Sequence, residues 1–600
     1  MKVSDLIAEF LEKKEIKVIF GVIGSANSHI FDSIDKRGYT KIVNVHHEQA
    51  AVMAMGAYYR TCGKIAAALA TAGPGAANTL TGILSCWADS VPGLIITGQE
   101  SSGYFESHKN LRMMGTQGFD VARMVKKITK YSTTLHDSML VQDELEKSYN
   151  MIFEGRFGPT LVDVPFDVQS KVVPRREWNL EQLSDVTSVS DENIEYVIEC
   201  LRKAKRPVIL GGHGIKLSNS KDNFIQLVSR TRIPTLLTWA AIDLLPFDNE
   251  NFYGRAGVYG QRCSNFIIQN ADVILVLGSR LALPQVGYDI RDFAPHSKII
   301  VVDIDIHELH KYEKKCDKLI YGDCGEVIDK LINSMKERIS NKTPWITQCK
   351  EWREKYPLLM KEHKNEKNGY LNSYAFMDKL SEYLTEDHII VTDMGTALLS
   401  GHQAIRLKEN QTMFTSTGLG EMGYGLPAAV GASFASNGRE VLCMNCDGGM
   451  MMNIQELQTI IHYELPVKIL VFNNDGYLMI KQTQNLLFNG KFVSSNKETG
   501  ISLPDYSKIA IAFGFESYTL NSWTDFDKTI MQFLNSRSPS ICEVAMDPLQ
   551  EFIPKARGVL GEDNTIITPL LEEMSPLLPL ETIQEEMIAG LNDKSLRIKR

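Results

Sequence analysis

The chain has 600 residues, 44% hydrophobic and 23% charged, with a formal net charge of -9, which predicts a globular protein of three or four domains with room for a large core. The acidic balance and the lack of a long basic block argue against a nucleic-acid partner. No apolar run approaches the ~18 residues of a membrane span, so no membrane association is expected, and the N-terminus MKVSDLIAEFLEKKEIKVIF, with acidic residues and no long apolar core, reads as an amphipathic helix and a strand rather than a signal peptide.

Residues 1–175 alternate short apolar runs with helical patterns, as parallel α/β domains do. Strands are predicted at KVIFGV, KIVNVH, IAAALAT, GLIITG and PTLVDVP. The charged stretch 172–193 reads as a linker. A second α/β segment, 190–340, carries RPVILGGHG, IPTLLT, ADVILVLGS and KIIVVDID, and a polar stretch, 336–370, leads to the third. That segment, 370–545, carries HIIVTDMG, EVLCMNCD, VKILVFNND and SICEVAMD. The tail, 546–600, reads as loop and helix. The expected fold is therefore α/β, with three doubly wound parallel-sheet domains, the first and third sharing a general pattern. The ten scattered cysteines suit a reducing, cytoplasmic location. Cys443 and Cys446 form a C-x-x-C with no second Cys or His pair nearby, and read as small apolar residues on a buried strand.

Open parallel sheets bind ligands beyond the carboxyl ends of their strands. One apolar run stops at Asp447, Gly448 and Gly449, and a second, about 27 residues on, stops at Asn474, Asp475 and Gly476. Helix N-termini after such strands favour a diphosphate, and glycines let the backbone approach it. Phosphates with one carboxylate are a usual setting for Mg²⁺. Asp447 would supply charge, Asn474 an amide oxygen and Gly476 a backbone oxygen. Either turn alone is equally well a plain strand-to-helix connection. Joined by Gln455, Glu456, Leu457, Thr459 and Pro466, they form a signature.

That signature resembles the thiamine-diphosphate motif, a Gly-Asp-Gly followed by Asn-Asn, with Cys446 in place of the first glycine. The resemblance spans residues 1 to about 545 and is closest in kind to acetolactate synthase large subunits. Glu48, in NVHHEQAAVMAMGAYYR, could merely favour its helix N-terminus. The resemblance makes it instead the catalytic glutamate on the aminopyrimidine N1′, where a carboxyl group favours the imino tautomer that takes the proton from thiazolium C2. It also implies cofactor contacts from Gly24, Ser25, Pro74 and Asn78 in the first domain. In the third it implies Gly395, Thr396 and Ala397 at the diphosphate, Gly420 and the bulky Met422 at the aminopyrimidine, and Gly448, Gly449, Met479 and Ile480. In this family the glutamate and the metal site come from different subunits, so a homodimer or homotetramer is implied.

Within the resemblance, the expected chemistry is decarboxylation of pyruvate and transfer of the two-carbon unit to a 2-keto acid or a keto-sugar. Gln117 and Lys130 are retained as substrate residues, but Thr116 and Gly118 replace the Phe and Glu of a family Phe-Gln-Glu. Thr483 stands where the synthases place a Trp, which would widen the acceptor pocket. LGSRLALPQVGYD and the tail look like acetolactate-synthase-like proteins of polysaccharide and unusual-sugar biosynthesis. FAD is a possible third cofactor, with Gly212, Gly214 and Arg280 as candidate contacts, although Leu281–Gln285 replace the family's paired-Asp run. The alternative enzyme on this scaffold is a C–C hydrolase or lyase acting on a cyclic dione or another 2-keto compound. A non-catalytic relic would not need Glu48, Asp447 and Asn474 together.

Overall fold

Val18 and Phe20 pack into one apolar cluster and Ile19 into another, because successive side chains on a strand point to opposite faces. With both faces covered, such strands read as continuous apolar runs. The same division holds in the central region, where Leu275 and Ile274 belong to different clusters, and in the last, where Cys443 and Cys446 do. The C-x-x-C pair thus sits on opposite faces of a strand, and all ten cysteines are free thiols.

The structure is a computed structural model that describes all residues except 109, 180–187, 314, 336–341, 365–368, 564 and 569. Three parallel sheets carry the fold. The first is β1 (Val18–Gly21), β2 (Lys41–Asn44), β3 (Ala67–Ala70), β4 (Gly93–Gln99), β5 (Tyr131–Thr134) and β6 (Pro159–Pro165), in the order β2-β1-β3-β4-β6-β5. The second is β7 (Pro207–Gly211), β8 (Thr235–Leu237), β9 (Val273–Leu277), β10 (Lys298–Asp303) and β11 (Lys318–Tyr321), in the order β11-β10-β9-β7-β8. The third is β12 (Ile389–Thr392), β13 (Thr412–Phe414), β14 (Val441–Cys446), β15 (Val467–Asn473), β16 (Glu516–Leu520) and β17 (Ser540–Ala545), in the order β13-β12-β14-β15-β17-β16. The first and third sheets therefore have one topology.

The helix that follows the second strand of each of these two sheets joins them. α1 (Glu48–Cys62) follows β2, and α2 (Gly425–Ala435) follows β13. They cross so closely that a Cβ on Gly431 would lie 2.0 Å from Ala54 O. Only small residues permit such an approach, and both helices are rich in alanine. A buried ion pair, Arg60 to Asp89 at 2.6 Å, fixes the same joint. Asp89 also accepts the Thr417 and Gly418 N–H groups.

Both stretches read as linkers are partly packed. Trp178 is buried against Phe10, and Arg175 and Arg176 pair with Glu9 and Glu146; positions 180–187 lie outside the described residues. The second stretch holds a helix, Thr343–Lys355, whose Trp345 and Trp352 are buried. Its polar composition hid two tryptophans seven residues apart on one face; positions 336–341 and 365–368 lie outside the described residues. The tail docks on the central region through buried amides. Asn265 donates to Leu571 O and Asn270 to Glu586 O. No helix among the described residues is long and apolar enough to cross a membrane.

Candidate active site

At the carboxyl end of the first sheet, His47 caps α1 by accepting the Gln49 N–H, and Glu48 is its first residue. The Glu48 carboxylate does not cap its own helix. It accepts a hydrogen bond from Asn78 Nδ2 at 3.0 Å. Asn78 ends the short helix Pro74–Asn78, where a Cβ on Gly75 would lie 3.0 Å from Glu48 Oε1. Gly24 abuts Thr71, whose hydroxyl is buried without a partner among the described residues, and Ser25 is exposed beside it. Gln117 closes the group, reaching Ala72 O at 3.4 Å. Glu48, Asn78, Pro74, Gly24 and Gln117 thus share one end of one sheet.

The third sheet presents Asp447 after β14 and Asn474 after β15. Asp447 Oδ2 accepts the Asn474 and Gly476 N–H groups at 2.9 and 3.0 Å, and Oδ1 accepts the Gly448 N–H at 2.7 Å. Burial pushes this carboxyl up to about 6 against those donors. Asn474 Nδ2 lies between two oxygens, Asp447 Oδ2 at 3.4 Å and Gly476 O at 2.5 Å. Its amide therefore occupies the place between a carboxylate and a carbonyl that suits a hard cation. With the Asn474 amide turned about, so that Thr396 Oγ1 accepts from Nδ2 and Oδ1 faces Asp447, one carboxylate, one amide oxygen and one backbone oxygen would fit the oxygen-rich, incompletely protein-ligated sphere of Mg²⁺. Among the described residues no group of three or more His, Cys, Asp or Glu forms another metal cluster.

The two glycines also make room for neighbouring protein groups. A Cβ on Gly448 would lie 2.3 Å from the Tyr477 ring, and one on Gly449 would lie 1.7 Å from Asp393 Oδ2. They admit neighbouring protein groups, whatever else they admit. Cys446 takes the place of a family glycine without strain, since its φ is -96°. Its sulfur accepts the Ala397 N–H at 3.3 Å. Gly395, at φ 114°, starts the helix Thr396–Ala404, and Thr396 donates to Asn474 Oδ1 at 2.7 Å. Gly420 has a φ of 74°, and Met422 lies near Gly448.

Two expected substrate residues stand apart from Gln117. Lys130 donates to Glu154 O, near the Arg156–Asp305 pair that faces the central region. Thr483 is exposed, donates to Met479 O one turn back, and shares its helix, Leu478–Phe488, with the exposed Ile480. Met479 and Met394 line a cavity of about 480 Å³ that extends to His213, Gly214, Arg280 and Asp303 of the central sheet. Gly212 and Gly214 allow two strand-end loops to touch, their N–H groups donating to Leu277 O and Gly278 O. The His213 imidazole is pushed down to about 3 by burial, and its Nε2 has no partner among the described residues.

Three residues to which the sequence pattern assigns nothing hold these loops, Asp393 the one at Gly423 and Lys481 and Tyr506 those at Asn474 and Asp447. Asp393 accepts the Gly423 and Tyr424 N–H groups. Lys481 donates to Asn474 O and Asp475 O, and Tyr506 donates to Asp447 O. Asp393 carried a usable signal, a carboxylate ending an apolar strand, as Asp447 does. Tyr506 carried none.

Residues 1–123, 194–331 and 393–544 match the N-terminal TPP binding domain, central domain and C-terminal TPP binding domain of thiamine pyrophosphate enzymes. Acetolactate synthase isozyme 1 large subunit of Escherichia coli (strain K12) is 30% identical over 92% of this chain and 95% of its own. The isozyme 2 large subunit is 28% identical over 92% and 97%. The probable acetolactate synthase large subunit of Methanocaldococcus jannaschii is 29% identical over 96% of both chains.

Proposed function

This chain belongs to the thiamine pyrophosphate enzymes as an acetolactate-synthase-like member, and on that premise we propose that it decarboxylates pyruvate and passes the two-carbon unit to a carbonyl acceptor. The observation that carries this reading is the convergence of Asp447 Oδ2, Asn474 and Gly476 O at one strand end, in a chain that holds Glu48 on Asn78 at another. Thiamine diphosphate, when bound, supplies the electron sink for the bond broken in the 2-keto acid. Asp447, Asn474 and Gly476 would hold Mg²⁺, which would supply the positive charge for the diphosphate. Gly395, Thr396, Ala397, Gly448 and Gly449 frame the diphosphate, and Gly420, Met422, Met479 and Ile480 the rest of the cofactor. Glu48 holds a proton at the aminopyrimidine nitrogen, oriented by Asn78. Gln117 faces the substrate beside Gly24, Ser25 and Pro74.

The resemblance carries the assembly: a homodimer, or a tetramer of such dimers, in which each site would take Glu48 from one subunit and the Asp447 loop from the other. The cavity of about 480 Å³ and Asp303 at the end of β10 fit a dinucleotide such as FAD, with a carboxylate placed for ribose hydroxyls. Gly212 and Gly214 would contribute space rather than amide donors. Exposed Thr483, where a bulky ring would stand, favours a larger, hydroxylated acceptor, such as a keto-sugar, over a second 2-keto acid. The ten free thiols suit the cytoplasm.

The test is CO₂ release from pyruvate by the purified protein with thiamine diphosphate and Mg²⁺. Release that Glu48→Gln abolishes, with carboligated product once the acceptor is supplied, is the expected result. No release from pyruvate with any acceptor, despite cofactor binding, would overturn the reading and favour cleavage of a dione.

A further inference from the structure

The two sheets of common topology can be compared residue by residue. β4 ends at Gln99, which donates to Asp163 on β6 at 2.8 Å. β15 ends at Asn473, which donates to Glu543 on β17 at 2.6 Å. In the sheet register Asp163 pairs with Thr97, two residues before Gln99, and Glu543 pairs with Val471, two before Asn473. The amide–carboxylate clasp is thus the same device in both sheets, and the residue after it is equivalent too. In the third sheet that residue is Asn474. In the first it is Glu100, a carboxylate to which the sequence pattern assigned nothing.

Glu100 is held and in turn holds. Its N–H donates to Gln99 Oε1 at 3.0 Å, and its Oε1 accepts the Gln117 N–H at 3.1 Å. Gln99 also donates to Phe119 O at 2.8 Å. A Cβ on Gly118 would lie 2.6 Å from Glu100 Cγ, and one on Gly115 would lie 2.6 Å from Glu100 Oε2. Gly115 sits at φ 59°, and a Cβ on Gly118 would also lie 2.6 Å from Gln99 Oε1 and 2.8 Å from Met114 O, so the Glu100 side chain is one of several groups that fill the space side chains there would need. The loop then presses Gln117 onto Gly73, where a Cβ would meet Gln117 Cγ at 2.8 Å. Gly73 caps the helix whose Asn78 bonds Glu48.

We propose that Glu100 is a positioning residue for the loop 115–118, supplying from the end of β4 the carboxylate that the resembled Phe-Gln-Glu pattern carries at 118. A side chain at 118 would meet the Glu100 side chain together with Gln99 and the Met114 carbonyl, so this chain carries the loop's carboxylate at the end of β4 and a glycine at 118. The inference rests on the reading of Gln117 as a substrate-facing residue.

The experiment compares Glu100→Ala, the conservative variant Glu100→Gln, and Gln117→Ala in the full-length protein. Two quantities are measured, amide hydrogen exchange of the peptide covering 112–119 without cofactor, and kcat/KM for CO₂ release from pyruvate with the cofactor present. Glu100→Ala is expected to speed exchange about tenfold, as one hydrogen bond of about 1.4 kcal/mol is lost. It should lower kcat/KM about 100-fold, the effect of misplacing a reacting group by about 1 Å, with thiamine diphosphate affinity unchanged. Glu100→Gln should recover most of both, since its amide oxygen can still accept the Gln117 N–H. Unchanged exchange in Glu100→Ala, or a Glu100→Gln variant no better than Glu100→Ala, would overturn the proposal. Loss of kcat/KM in Gln117→Ala but not in Glu100→Ala would overturn it while leaving the role of Gln117 intact. Full kcat/KM in Gln117→Ala would overturn that reading of Gln117 and the proposal with it.

Discussion

The first and third sheets share strand order, an amide–carboxylate clasp between their fourth and sixth strands, and a helix after the second strand that meets its counterpart. They differ in what stands at the strand ends. The third offers Asp447, Asn474 and Gly476 around one point; the first offers Glu48 with Asn78, and Glu100 in the place of Asn474. Topology fixes where a ligand can be met, and side-chain chemistry decides whether it is met by a metal or by an acid–base group. In the proposed function, metal and diphosphate binding falls to the third sheet and proton handling to the first.

The largest expected effect separates these tasks. Glu48→Gln should lower turnover by about 10²–10⁴-fold, the usual contribution of general acid–base catalysis, while thiamine diphosphate affinity stays within about twofold. A collapse of affinity in that variant, measured by calorimetry, would break the comparison. Next comes the joint between the equivalent helices. Gly431→Ala puts a methyl into Ala54 O and should cost about 3 kcal/mol, read as a lower denaturant midpoint with unchanged slope. A neutral effect would mean that the helices do not cross as described.

A third prediction concerns the clasp. Burial pushes Asp163 up to about 7, despite donors from Thr97, Gln99 and Thr134. Its carboxyl is then protonated in the folded chain between about pH 4 and 7 and ionised in the unfolded chain. The unfolded state binds fewer protons there, so stability falls as pH rises, by at most about 1.4 kcal/mol per unit. Asp163→Asn should flatten that slope, as denaturant titrations at pH 5, 6 and 7 would show. The smallest effect is expected outside both clusters. Thr483→Trp should lower use of a bulky acceptor about tenfold and leave pyruvate decarboxylation unchanged, as product analysis would report.

Much of this was legible in the sequence, in an uneven way with a physical cause. The strands covered on both faces, such as VILVL and VKILVFN, are continuous apolar runs and were read directly. The strands passed over, β5, β11, β13 and β16, all lie at sheet edges, where one side meets solvent and sequences such as YSTT and ESYTL are partly exposed. Asp447 and Asn474 stood out because a carboxylate and an amide ended apolar runs. Their supports did not, since Lys481 and Tyr506 come from elements that only the fold brings beside them. Glu100 was hidden differently, because its meaning comes from a position in a register shared by two sheets.

The most direct test of the central claim is calorimetric titration of thiamine diphosphate into the protein with and without Mg²⁺, repeated on Asp447→Ala. The account predicts binding that requires Mg²⁺ in the unaltered chain and falls by at least about 100-fold, roughly 3 kcal/mol, in the variant. Binding of equal strength without Mg²⁺ and without the Asp447 carboxylate would contradict it.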